Sequence, residues 1–599
     1  MLKLFRYLRG RYWGLFAGSA AIIVLQVLLD LKIPGYMATI TKLVETDGSR
    51  MSQIYAAGGM MLLCALGSVA AAIGAGYLSS RFAAALSMSL RSKVFDRVED
   101  FSMEEMDSFS TASLITRSTN DITQIQNFVA RGLQQIIRAP IMAGIALYLI
   151  SSRYWQWTAL TGGLVLFAVM IIVCVVSYAR PRFQKMQTMT DDLNRVTREN
   201  MTGIRVIRAY NAEEYQEGRF TAANDRLTRN SLEAHRTMSI MEPMTNFINN
   251  VLTIGIYGIG AFLLAAAAGT ERLGIFTDMV VFSSYAAKIV QAIMTLRMIL
   301  MVLPRAQVSA KRLNEVLDTV PNIADGDRTL GEAGHTDEVE FRHVSFRYPG
   351  SRDDVLHDIS FTARKGETVA FIGATGSGKS TLVNLLVRFY DATEGTVLVD
   401  GRDVREYLQS ALHQKLGYAP QKAVLFAGTV RSNVCYGADG GDGNDTDVRH
   451  ALDIAMASEF VDRLDGGLDA DVSRGGTNLS GGQKQRLSIA RAVMKKPEIY
   501  IFDDTFSALD YKTDRTLRSA LKRETAGVTT LIVAQRIGTI RDADKIIVLE
   551  DGRIAGIGTH EELLRECGIY QEIARTQLSE EELAHTVQTA DRRLAHGEE

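Results

Sequence analysis

The sequence predicts two unlike units in one chain: an α-helical membrane domain of six transmembrane helices, then an α/β domain. Three observations carry this. The first half holds six apolar runs, each near the ~20 residues needed to cross a hydrocarbon core of ~30 Å. The second half alternates short β-rich runs with helical stretches, the pattern of a mainly parallel sheet with helices packed around it. A glycine-rich loop, 373–381, stands directly between one such strand and a helix.

The six runs fall near 13–33, 55–79, 133–151, 157–179, 246–269 and 275–303. The third opens with Arg138 and Pro140, and the sixth contains Lys288 and Arg297. Short links (34–54, 152–156, 270–274) alternate with long polar segments, 80–132 and 180–245. Those segments keep a helical period, so they are expected as helices extended past the membrane. Lys3, Arg6, Arg9 and Arg11 precede the first run, and both long segments are rich in Lys and Arg. By the positive-inside tendency these parts are cytoplasmic and the short links lie outside. Asp30 and Lys32, beside Pro34, are expected at the outer end of the first helix. Domain boundaries are expected at 1–310 (membrane), 311–334 (linker), 335–578 (α/β) and 579–599 (charged tail).

Composition agrees with a greasy part joined to a soluble one: 47% of the 599 residues are apolar and 22% charged. A net charge of -2 argues against nucleic acid as a partner. Cys64, Cys174, Cys435 and Cys567 lie far apart with no CxxC spacing, so neither disulfides nor a thiolate metal site are expected. Met1 to Arg11 runs straight into a spanning stretch, so no cleavable signal peptide is expected. Gly437–Asp447 lacks the ligand pattern of a calcium loop and is expected as a surface insertion.

The β-rich runs are Thr368–Ile372, Thr396–Val399, Ile499–Phe502, Thr530–Ala534 and Lys545–Leu549. After the first comes Gly373-Ala-Thr375-Gly376-Ser377-Gly378-Lys379-Ser380-Thr381, a P-loop in the strand–loop–helix setting that gives the pattern its meaning. Glycines let backbone N–H groups wrap phosphates, and the helix N-terminus favours their charge. Lys379 is expected on the β- and γ-phosphates of the ligand and Ser380 on Mg²⁺. A second motif, Leu479-Ser480-Gly481-Gly482-Gln483, precedes Lys-Gln-Arg-Leu-Ser-Ile-Ala-Arg-Ala. The strand after it ends in Asp503, whose carboxylate can hold Mg²⁺ through water.

These motifs resemble the ATP-binding cassette (ABC) superfamily, and several implications follow from the resemblance. Ser480 to Gln483 would cap the nucleotide held by an opposing cassette, so two cassettes would sandwich two ATP molecules. Tyr348, in Phe-Arg-Tyr-Pro, resembles the aromatic that stacks on adenine. Gln421 resembles the loop glutamine that contacts Mg²⁺ and the membrane domain, and Ser507 to Asp510 the loop that crosses the dimer interface. The first half is similar to the exporter-type membrane domain, with Asp107–Ile122 and Glu199–Phe220 matching its two cytoplasmic coupling regions. The implied protein is a multi-pass half-transporter in the cell inner (plasma) membrane. Its cassette would be cytoplasmic, and it would pair with a second half-transporter within the lipid bilayer.

Three positions depart from the family pattern. Where active cassettes place a Glu as general base, this chain has Asp504, one methylene shorter. A displacement on the order of an ångström can cost roughly 10²-fold in rate. Gln535 stands where the family has a His near the γ-phosphate, and glutamine can neither take a proton nor carry charge. Arg474 replaces a Glu that usually precedes the signature. The expectation is the degenerate half of a heterodimer, with a sluggish homodimer as the alternative. The expected cargo is a hydrophobic or amphiphilic compound moved by a multidrug-type exporter, with peptide, lipid or siderophore-type transport, or an ATP-binding membrane sensor, as alternatives. Lys288, Gln291, Thr295 and Arg297, with Met294, Met298 and Met301, suit either a cavity for amphiphiles or ion pairing between helices.

Overall fold

In a computed structural model the chain forms two compact units, Met1–Glu99 with Ser110–Thr319, and Asp100–Phe109 with Val320–Glu599. The structure describes residues 1–8, 10–45, 49–151, 154–267, 271–332, 334–438 and 443–578. The expected charged tail from 579 therefore lies outside the described residues.

Among the described residues, six helices are long and apolar enough to cross a membrane. They are α1 (Trp13–Glu45), α2 (Met51–Glu99), α3 (Thr111–Ser151), α4 (Trp155–Thr202), α5 (Glu213–Ala266) and α6 (Glu271–Asp318). The 49 residues of α2 span about 70 Å at 1.5 Å per residue, far beyond a hydrocarbon core. That length is what the expected extension past the membrane requires. The link expected at 34–54 is mostly helical instead. Pro34 lies inside α1, which continues to Glu45, because proline removes one N–H without forcing a stop when the flanking residues pack.

Asp30 is consequently mid-helix, which corrects its placement at an outer end. Its Oδ2 accepts from Arg138 Nη2 of α3 at 3.1 Å and its Oδ1 from Ser68 Oγ of α2 at 2.5 Å. A carboxylate within a candidate span is thus paired rather than stranded. The apolar core of this unit gathers Val27, Trp157, Ile248 and Phe282. Trp157 Nε1 donates to Ile256 O at 3.1 Å, and Tyr285 Oη to Leu31 O at 2.9 Å. Lys288 is half-buried on α6, and the side chain of Arg297 lies outside the described set.

The second unit holds two main sheets. Strands β1 (Asp337–Phe346), β2 (Leu356–Arg364), β4 (Glu394–Val399) and β5 (Arg402–Asp403) pair antiparallel in the order β2-β1-β4-β5. The expected run Thr396–Val399 belongs here, not to the parallel sheet. Strands β3 (Thr368–Gly373), β6 (Leu416–Ala419), β9 (Ile499–Asp503), β10 (Thr529–Val533), β11 (Lys545–Glu550) and β12 (Arg553–Gly558) form the larger sheet, ordered β12-β11-β3-β10-β9-β6. All its pairings are parallel except β11 with β12. A short ribbon joins β7 (Gly428–Thr429) to β8 (Asp471–Val472).

Around this sheet lie α7 (Lys379–Leu386), α8 (Gly481–Met494), α9 (Tyr511–Glu524), α10 (Ile537–Ile540) and α11 (Gly568–Gln577). Helix α6 runs on to Asp318, past the start of the expected linker. The rest of that linker is bonded to the second unit: Gly326 N donates to Tyr407 O and Glu332 N to Asp400 O. The expected surface insertion is in part regular, since Asn444 caps a helix over Asp445–Ile454. Residues 439–442 of it lie outside the described set.

Candidate nucleotide site

Parallel strands all point their carboxyl ends one way, and ligands of such sheets bind beyond those ends. Four neighbouring strands deliver the predicted residues to that edge. β3 leads into the P-loop, β9 ends at Asp503 with Asp504 next, β10 leads to Gln535, and β6 leads to Gln421.

The P-loop needs its glycines for space and for φ. A Cβ on Gly373 would strike Leu549 O of the adjacent strand, and Gly378 sits at φ 97° with Leu356 Cδ2 where its Cβ would be. Gly376 is also left-handed, at φ 88°. Lys379 Nζ donates to Gly373 O at 2.9 Å and Ala374 O at 2.7 Å, holding the ammonium over the loop. Burial pulls its pKa below the ordinary value, opposed by the carboxylates of Asp504 and Asp503. Ser377 and Thr381 are buried beside it.

Ser380 Oγ donates to Asp503 Oδ1 at 2.9 Å. A hydroxyl and a carboxylate meeting at two strand ends are hard oxygen donors, which is the chemistry Mg²⁺ selects. Burial raises the Asp503 carboxyl above its usual range, partly offset by the Ser380 bond. Such a group gains from a cation close by.

Asp504 is only 7% exposed and adopts φ 46°, a left-handed conformation that Asp tolerates better than most residues. Its N–H donates to Val533 O at 2.9 Å, fixing it to β10. Two amides converge on its Oδ2: Gln535 Nε2 at 2.7 Å and Gln421 Nε2 at 3.1 Å. Three residues from three loops, singled out separately in sequence, thus form one contact. Sequence reasoning missed Thr505, which is fully buried and donates through Oγ1 to Ala419 O at 3.1 Å. That bond ties the β6 end, and hence Gln421, to the β9 end; no motif marks it.

Tyr348 is half-buried, edge-on to Phe346 and Tyr390, with its hydroxyl 3.1 Å from Thr381 Oγ1. The bond leaves its ring beside the P-loop helix. Ser480 caps α8, accepting from Gln483 N at 3.3 Å while Gln483 Oε1 accepts from Ser480 N at 2.8 Å. Ser480 and Gly481 are exposed, so a helix N-terminus with backbone donors faces outward. A Cβ on Gly482 would sit 3.3 Å from Ala508 O, in the loop leading to Asp510. Asp510 in turn caps α9 through Thr513 N at 3.0 Å. Arg474 is exposed in the turn before this segment.

Comparison with known proteins gives the family. Residues 16–294 match the ABC transporter transmembrane region, and residues 356–507 match the ABC transporter domain. An uncharacterised ABC transporter ATP-binding protein of Mycobacterium tuberculosis is 39% identical over 93% of this chain and 95% of its own length. The ATP-dependent lipid A-core flippase of Aromatoleum aromaticum is 32% identical over 97% of this chain and 96% of its own. The structure of a bacterial Atm1-family ABC exporter with ATP bound superposes with a TM-score of 0.79 at 25% identity, covering 94% of this chain and 98% of that one.

An ABC transporter domain fused to a transmembrane region, with six helices among the described residues long and apolar enough to cross a membrane, defines a membrane-bound transport ATPase. The chain belongs to the ABC transporter family, with an exporter-type transmembrane domain fused ahead of its ATP-binding domain. It is a multi-pass membrane protein with a cytoplasmic ATP-binding domain, placed by its bacterial relatives in the inner membrane. As a half-transporter it functions as a dimer, and its ATPase activity is coupled to transport.

Proposed function

We propose that this chain is the ATP-holding half of a heterodimeric exporter. Its own P-loop, through Lys379, Ser380, Asp503 and Gln421, binds MgATP, with Tyr348 against adenine. Mg²⁺, held by Ser380, Asp503 and Gln421, supplies charge neutralisation of the phosphates. Asp504 and Gln535 direct water at the γ-phosphate, and they do so slowly. The observation that carries this reading is the contact at Asp504: both groups on its carboxylate are neutral amides. Amides orient a carboxylate, but they neither accept a proton nor bring positive charge to the phosphate. Ser480 to Gln483, exposed on an intact capping box, complete the faster site on the partner's cassette, with Asp510 at the junction.

The test is an asymmetry within the purified assembly. Asp504→Glu is expected to change ATP turnover by less than about threefold, whereas Ser480→Arg is expected to reduce it by about 10²-fold or more, the scale of losing positioned donors. The chain purified alone as a dimer with brisk ATPase activity would overturn the heterodimer. The proposed cargo is hydrophobic or amphiphilic. Similarity to a lipid A-core flippase over nearly the whole length supports an amphiphile with a lipid-like tail. Its ATP-driven movement across reconstituted vesicles checks this.

A further inference from the structure

The loop that carries Gln535 is held from outside the nucleotide site. Ile537 opens the short helix α10, so its N–H is one of the donors a helix leaves without an internal acceptor, and Arg536 provides no side-chain cap. Gln577, the last residue of α11, supplies the acceptor: Ile537 N donates to its Oε1 at 2.8 Å. The same amide's Nε2 donates to Gln535 O, also at 2.8 Å. One side chain thus grips the backbone on both sides of Arg536. A neutral primary amide suits this, since it offers a donor and an acceptor at fixed spacing.

Helix α11 is itself anchored. Tyr570 and Ala574 are fully buried in a cluster with Ile537 and Ile540, and the Tyr570 hydroxyl lies 2.6 Å from His560 Nδ1. Gln577 is exposed, so it adds little to the apolar core. From it a continuous path runs through the backbone of 535–537 to the Gln535 amide and to the Asp504 carboxylate, 2.7 Å away.

We propose that Gln577 is a positioning residue for hydrolysis at this chain's own P-loop, fixing the loop that presents Gln535 to Asp504. The C-terminal helix is thereby part of the hydrolytic apparatus. This rests on the reading that Asp504 and Gln535 take part in hydrolysis there.

The experiment reads this chain's site alone. The full assembly is loaded with 8-azido-ATP carrying label at either the α- or the γ-phosphate and photo-crosslinked at intervals. The γ-to-α ratio on this chain then follows hydrolysis, and α-label capture follows binding. Gln577→Ala is expected to slow γ-label loss about fivefold, the effect of one or two ordinary hydrogen bonds, with α-label capture unchanged. Gln577→Glu keeps the length and the acceptor but not the donor, so it is expected to slow loss as well. It serves as the second variant if the alanine change lowers the melting temperature. The double variant Gln535→Ala/Gln577→Ala is expected to be no slower than Gln535→Ala, since both act through one contact. Unchanged γ-label loss in both Gln577 variants, reduced α-label capture, or additive slowing in the double variant overturns the inference while leaving the site reading intact. Should Gln535→Ala leave γ-label loss unaltered, the site reading fails, and the inference with it.

Discussion

Asp504 and Gly378 show how single residues set this site. Asp504 at φ 46° is pinned by its own N–H to β10, so its short side chain reaches only what the neighbouring loops bring to it, and they bring Gln421 and Gln535. Gly378 is constrained differently. At φ 97° any other residue is strained, and the Leu356 side chain fills the space its Cβ would take. Gly378→Ala is therefore expected to shift the loop ahead of Lys379 and weaken ATP binding by about tenfold or more, as a 1–3 kcal/mol backbone penalty implies. Binding of a fluorescent ATP analogue to the full chain measures this, with thermal unfolding as the control for folding.

At the scale of elements, helix α11 and the segment before it form a pH-sensitive prop. Burial holds the His560 imidazole below its ordinary 6.5; Arg541 pushes the same way, and Glu561 and Asp542 oppose. The unfolded chain then binds the proton more readily. The stabilisation is fully present above pH 6.5 and is lost as pH falls through that value toward the folded pKa. The melting temperature of the cassette is expected to drop below pH 6.5, at most by about 1.4 kcal/mol of stability per pH unit from this group. His560→Gln should flatten that slope in scanning calorimetry.

Elements also differed in how well the sequence announced them. The six spans were legible because burial in lipid demands long apolar runs, and the P-loop strand because it is apolar on both faces. The true length of α1 was not, since Pro34 and the polar residues after it look like an ending. The antiparallel sheet was largely missed because β1 carries register shifts that break its alternation. In the site, residues within motifs were legible, while Thr505 and Gln577 were not. Each acts through one hydrogen-bonding group toward a distant loop, which leaves no local pattern.

At the scale of the whole molecule, the two units are not consecutive in sequence. Residues 100–109, including the short helix Met103–Phe109, belong with the cassette unit. The buried Glu105 accepts from Asn322 N at 3.0 Å, and Tyr390 donates to Asp107 Oδ2 at 3.1 Å. A cassette expressed from Val320 onward is expected to melt lower than the same fragment supplied with a 100–109 peptide, because Tyr390, 9% exposed, loses its acceptor. Differential scanning fluorimetry with and without the peptide decides it. This arrangement also has a consequence for biosynthesis. Asp107 leaves the ribosome 283 residues before Tyr390 exists, so the segment waits through the insertion of four further spans. The cassette can close its last polar bonds only if the first two spans were threaded to leave that segment on the cytoplasmic side. A chain whose first two spans were threaded the other way would therefore leave Asn322 N and the Tyr390 hydroxyl without these acceptors.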